Sequence, residues 1–159
     1  MIGRRVVLLG GAATVPALAG PHQALAADGL RPEPIRIGAL FPLTAAAASG
    51  AEAKAAIDVA CEIINTAYPD LPGLPLAAGA GLPNLGGALL KAVHVDHQDD
   101  SVAAQSQAQR LIASEHVIAL LGACQSSVAL TATAVAERYG IPFVVSESVA
   151  ANITSRGLK

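Results

Sequence analysis

Four short stretches of this sequence carry side chains able to do chemistry. The first is Gln125-Ser126-Ser127, between a strand-like run and a helical pattern. The first turn of a helix has backbone N–H groups without partners and carries the positive end of the macrodipole. Hydroxyls placed there make a site for a carboxylate or another anion. Serines also take this position simply to cap a helix. The second stretch is Ser146-Glu147-Ser148, again directly after a strand-like run. Glu147 there could meet a ligand ammonium, or stand as a solvated loop carboxylate. The third is His94-Val95-Asp96-His97, which matches the tail of the metallo-hydrolase pattern His-x-His-x-Asp-His. Position 92 is Ala where the first histidine belongs, and a catalytic zinc needs about three protein ligands. His94 and Asp96 would share one face of a strand while His97 points the other way. The plainer reading is a polar strand end followed by a helix cap. The fourth is Cys124, at a strand–helix turn where a nucleophile could stand. The Gly-x-Ser-x-Gly elbow is absent, and no histidine follows Ser127. No Walker or dinucleotide glycine pattern follows any strand. These residues point to a binding protein rather than an enzyme, with no metal and no cofactor.

The elements that position these residues can be read from periodicity. Ile35 to Phe41 is a strand with apolar residues on both faces toward its end, which suits a strand covered on both sides. Leu43 to Gly50 is a loop of small residues. Ala51 to Ala67 is a helix, with Ala53, Ala56, Ile57, Ala60, Ile63 and Ile64 at three- and four-residue spacing. Asp70 to Gly87 is a long Gly/Pro-rich connection without a period. Lys91 to Asp96 is the second strand. Asp100 or Ser101 caps a helix running to about Ser114. Val117 to Leu121 is the third strand and Ser127 to Tyr139 the third helix. Arg138 suits that helix's negative end, and Gly140 and Pro142 stop it. Phe143 to Val145 is the fourth strand. This β-α-β-α-β-α-β order implies an α/β fold, an open parallel sheet with helices on both faces. Ligands then bind outside the carboxyl ends of the strands, which makes residues 42–50, 97–100, 122–127 and 146–150 the candidate binding loops.

Bulk properties narrow the class. The chain has 159 residues and a formal net charge of −2, so one domain is expected and there is no electrostatic footprint for nucleic acid. Hydrophobic residues make up 53% but aromatics only 3%, so the core should be thin Ala/Val/Leu/Ile layers with helices close to the sheet. Residues 1–26 read as an export signal: Arg4 and Arg5, an apolar Val6-to-Leu18 segment too short to span a bilayer, and the small-x-small site Ala24-Leu25-Ala26. The paired arginines resemble a twin-arginine signal, with Sec export also open. Residues 27–34 are a Pro-bearing linker. Export places the protein in the periplasm or another extracytoplasmic space and permits disulfides. Whether Cys61 and Cys124 pair is open at this point.

The order IRIGALFPLTAAAASG, EIIN, GLPNLGG, VDHQDD, RLI to LLG, QSS and AERYGIPFVVSES resembles one family. It is the extracytoplasmic solute-binding proteins of ABC transporters, of the branched-chain amino-acid (leucine-binding protein-like) type. The resemblance covers Ile35 to Lys159. It implies a type I periplasmic binding protein with two lobes that close on a solute, of which residues 35–159 are the first lobe, incomplete. It implies an amino acid or a small carboxylated or amide solute, delivered to a membrane ABC permease. It assigns the solute carboxylate to Ser126, with Gln125 and Ser127 beside it. A second contact follows the fourth strand, where the family usually has an Ala and a Thr and this chain has Glu147 and Val149, with Ser148 between them. Thr44, in the first loop, lacks the glycine that usually follows it. The chain runs to less than half the family's length, so it is expected to be poorly stable alone. Two other readings follow from the same residues: an exported metal-dependent hydrolase using His94, Asp96 and His97, and a ligand-sensing lobe of a receptor or regulator.

Overall fold

Strand β1 (Ile35–Phe41) is half-buried at its start and fully buried from Gly38 onward, as apolar residues on both faces require. The structure is a computed structural model that describes residues 31–44, 48–71 and 73–158. The expected export signal lies outside the described residues, as does the linker up to residue 30. Helix α1 (Ala48–Asn65) follows, then β2 (Leu90–Asp96), α2 (Ser101–Ala113), β3 (Ala119–Gly122), α3 (Ser126–Tyr139) and β4 (Phe143–Val145).

The four strands form one parallel sheet in the order β2-β1-β3-β4. The chain leaves β1 toward β2 and then returns across β1 to β3. Right-handed crossovers in these opposite directions put α1 on one face and α2 with α3 on the other. The packing agrees: α1 lies on β1 and β2, while α2 and α3 pack on each other.

Local chemistry explains most boundaries. The Asp100 side chain accepts from Ala103 N at 2.6 Å and caps α2. Gly140, in the left-handed region at φ 68°, ends α3 one residue after Tyr139. Asn65, the last residue of α1, both donates to Leu90 O and accepts from Leu90 N at 2.7 Å. One side-chain amide thereby fastens the end of α1 to the start of β2. The connection between them is not featureless. It holds two short 3-10 turns, Pro75–Ala77 and Pro83–Leu85, because proline suits the first position of such turns.

The core is as thin as the composition predicts. Leu40, Val95, Leu111, Leu120 and Val135 form it together with Ala108, Ala132 and Ala136. Gly38 lets α2 close on the sheet: a Cβ there would lie 2.6 Å from Leu120 Cδ2 and 2.8 Å from Leu111 Cδ1.

Several boundaries differ from those read in the sequence. Helix α1 starts three residues earlier, at Ala48, inside the stretch read as a loop. Its inner stripe is Ile57, Cys61 and Ile64, whereas Ala56 and Ala60 are exposed. Alanine fits either face, so its spacing carries little directional signal. Strand β3 starts two residues later than read and extends to Gly122, which pairs with both Leu40 and Val145.

Candidate functional site

Strand order creates the site. β1 and β3 are neighbours, but their following helices leave toward opposite faces. The loops after them therefore separate and open a crevice outside the strand ends. Gly122 forms its floor, with φ +149° and no room for a side chain, since a Cβ would lie 2.3 Å from Leu40 O.

The start of α1 lies on one side of the crevice. Gly50 is buried against the β1 exit, where a Cβ would meet Pro42 O at 2.1 Å. This close approach brings Ser49 Oγ to 3.7 Å from Cys124 Sγ in the β3–α3 turn. The first turns of α1 and α3 therefore both face this turn. Gln125 takes the N-cap position of α3 in extended backbone, but its side chain makes no capping bond. Its carbonyl accepts from Ala129 N at 2.9 Å. The hydroxyls of Ser126 and Ser127 take part in no hydrogen bond among the described residues. Two hydroxyls and the first amides of α3 are thus free to meet an anion.

The loop after β4 completes this edge. Ser146 N donates to Gly122 O at 3.0 Å, the last rung between β3 and β4. Ser148 Oγ donates to Ala123 O at 2.7 Å and lies 3.2 Å from Cys124 O. Glu147, between them, is exposed and stands beside the Cys124 thiol. Burial pushes that thiol up from its ordinary value; Ser49 opposes the shift, and the Glu147 carboxylate and, less strongly, that of Asp99 add to it. Val149 is 92% exposed.

Thr44 lies on the other side of the β1 exit. Its hydroxyl donates to Asp96 Oδ2, and Asp96 Oδ1 accepts from Leu43 N at 3.0 Å and Gln98 N at 2.9 Å. Partial burial pushes the Asp96 carboxyl up. The hydrogen bonds from Thr44, Gln98 and Leu43 outweigh it and hold the carboxyl below its usual range. Asp96 therefore ties the first binding-edge loop to the second.

Of the residues singled out in the sequence, Gln125, Ser126, Ser127, Glu147 and Ser148 come together around the β3–α3 turn. Thr44 bonds instead to Asp96 at the end of β2. Ser49 and the loop-tying role of Asp96 were missed. The only sequence signal for Asp96 was its place at a strand end.

His94, Asp96 and His97 each have separate partners. His94 Nε2 lies 2.7 Å from Asp58 Oδ1 on α1. His97 is fully buried, with Nδ1 accepting from Asp99 N at 3.2 Å, and burial holds its imidazole below the ordinary value. Among the described residues no three His, Cys, Asp or Glu side chains converge to hold a metal ion. Cys61 and Cys124 are both free thiols. Cys124 touches Ser49, and the twelve-residue step along α1 from Ser49 to Cys61 spans about 18 Å, too far for a disulfide.

Comparison with known proteins accords with this geometry. A family model described as periplasmic binding protein matches residues 34–157. No match is found among curated protein sequences. Among solved structures, the chain is similar to the branched-chain amino acid transporter substrate-binding protein LivJ from Streptococcus pneumoniae, solved in complex with isoleucine. The TM-score is 0.63 at 24% identity, over 76% of this chain and 31% of that one. The leucine-binding protein LivK from Thermotoga maritima gives 0.61 at 23% identity, over 77% and 30%. A solute-binding protein of an ABC transporter from Rhodopseudomonas palustris, in complex with 3,4-dihydroxybenzoic acid, gives 0.61 at 20% identity, over 77% and 29%. The chain thus spans about a third of the length of the structures it matches, and it shares with them the type I periplasmic binding protein fold. By the extent of the family match and by its fold, the chain belongs to the periplasmic binding protein family.

Proposed function

We propose that this chain is the first lobe of an extracytoplasmic solute receptor, without catalytic activity. It holds the carboxylate of an amino acid or a related small carboxylated or amide solute, for delivery to an ABC permease. One observation carries the reading: the hydroxyls of Ser126 and Ser127 and the first amides of α3 are unpartnered at the crevice between β1 and β3. A helix N-terminus with free donors stabilises an anion through directed hydrogen bonds and the macrodipole. Glu147, on the neighbouring loop, supplies the opposite charge for a solute ammonium. The relatives bind solutes of this size, isoleucine in one case and an aromatic acid in another. The hydrolase alternative loses its support because His94, Asp96 and His97 are engaged separately.

Calorimetric titration with L-leucine and L-isoleucine tests the reading. Removing one hydroxyl that donates to a carboxylate costs about 1.5–3 kcal/mol. Ser126→Ala should therefore weaken whichever solute binds by that amount. Unchanged affinity overturns the assignment of the carboxylate to Ser126, and no heat from either amino acid rules out a plain leucine-type solute.

A further inference from the structure

The loop after β4 is an arch fixed at two points. Ser146 N on Gly122 O is the last rung of the β3–β4 ladder. Two residues later, the Ser148 hydroxyl reaches back over 25 residues of chain to Ala123 O at 2.7 Å, with Cys124 O at 3.2 Å. Beyond the ladder these bonds join the two loops, together with the contact of Glu147 on the Cys124 thiol. A hydroxyl has one proton. Pointed at two consecutive carbonyls, it bridges them and fixes the peptide plane that leads into Gln125 and α3. Glu147 sits at the crown of the arch, between the two fastenings, beside the Cys124 thiol. Ser148 is half-buried while Glu147 is exposed.

We propose that Ser148 is a positioning residue of the solute site: its hydroxyl pins the β4 loop to the β3–α3 turn, and so holds the Glu147 carboxylate at the mouth of the crevice. Its importance for binding rests on the solute-receptor reading above, but the pinning itself can be read without any solute. If the arch is pinned, Glu147 stays against Cys124 and disfavours the thiolate. If the pin is removed, the carboxylate swings into solvent and the thiol ionises more readily. Thiolate is the reactive form, so alkylation reports the arch directly.

The experiment measures the pH profile of Cys124 alkylation by iodoacetamide in a Cys61→Ser background. Ser148→Ala and Ser148→Val should move the profile to lower pH and speed the reaction at pH 7 by about threefold or more. Ser148→Thr, which keeps the hydroxyl, should restore the original profile, whereas a packing role would let Val do so equally. Glu147→Gln, an exposed change that leaves the fold alone, should by itself shift the profile the same way. An unmoved profile in Glu147→Gln, or in the Ala and Val variants, overturns the proposal. Solute titration of the same variants is a separate readout. Thiol shifts without a change in solute affinity would show the pinned arch but overturn Ser148 as a positioning residue of the solute site.

Discussion

A hydroxyl at the end of a strand can serve a ligand or the protein itself, and the difference lies in where its single proton goes. Ser126 and Ser127 keep theirs free among the described residues, whereas Thr44 gives its proton to Asp96 and Ser148 to the β3–α3 turn. The serine pair was legible in the sequence because a helix start after a strand is a local feature. The Thr44–Asp96 bond was not, since it joins residues 52 apart and depends on the pairing of Phe41 with Asp96 in the sheet. Asp96 also makes stability depend on pH. Its folded pKa lies below the ordinary 3.8, so the folded state holds the charged form more tightly than the unfolded chain does. That contribution is present above the unfolded value and is lost as pH falls through the folded one. Asp96→Asn should therefore remove an acid-side leg of the stability profile. At neutral pH it should cost about 1 kcal/mol, discounted because the site is open to solvent. Denaturant midpoints from pH 3 to pH 7 check this. Parallel profiles for the two proteins would mean that Asp96 does not tie the loops.

At the scale of elements, the sheet carries its own site because β3 ends in a glycine. Gly122 pairs with Leu40 on one side and Val145 on the other, and no side chain fits between it and Leu40 O. Gly122→Ala should push β1 and β3 apart where the crevice begins, costing about 3 kcal/mol through backbone strain and overpacking. Thermal unfolding followed by circular dichroism measures it, and a melting temperature within one degree of the original would show that the strand ends can yield. The elements themselves were largely legible. β1 and β4 fall where the apolar runs place them, and the α2 and α3 boundaries follow from Asp100 and Gly140. Where the reading slipped, alanine was the cause. Residues 45–48 are all alanine, so nothing in the sequence marks the start of α1 at Ala48. Equally, the exposed Ala56 and Ala60 look the same in sequence as the buried Ala104 and Ala108.

At the scale of the molecule, the two faces of the sheet are covered unequally. α2 and α3 cover one face, with Phe143 and Val145 of β4 packed against the core beneath them. α1 covers β1 and β2 on the other face and does not reach β4. Val144, which alternates with Phe143 and Val145, points to that uncovered side and is 58% exposed. Among the described residues β4 pairs only with β3, so its outer edge also offers free backbone groups. An apolar side chain on an unpaired edge strand invites pairing with another chain, and a lysine there is a common natural safeguard. Val144→Lys should therefore reduce self-association while changing folding stability by no more than about 0.5 kcal/mol, because the side chain it replaces touches little. Light scattering across a concentration series reads the first effect and chemical denaturation the second. Self-association that persists unchanged in Val144→Lys would move the sticky surface elsewhere. The next place to look is the wholly apolar groove of about 230 Å³ formed by Ala60, Ile63, Ile64, Leu74, Pro75 and Leu76.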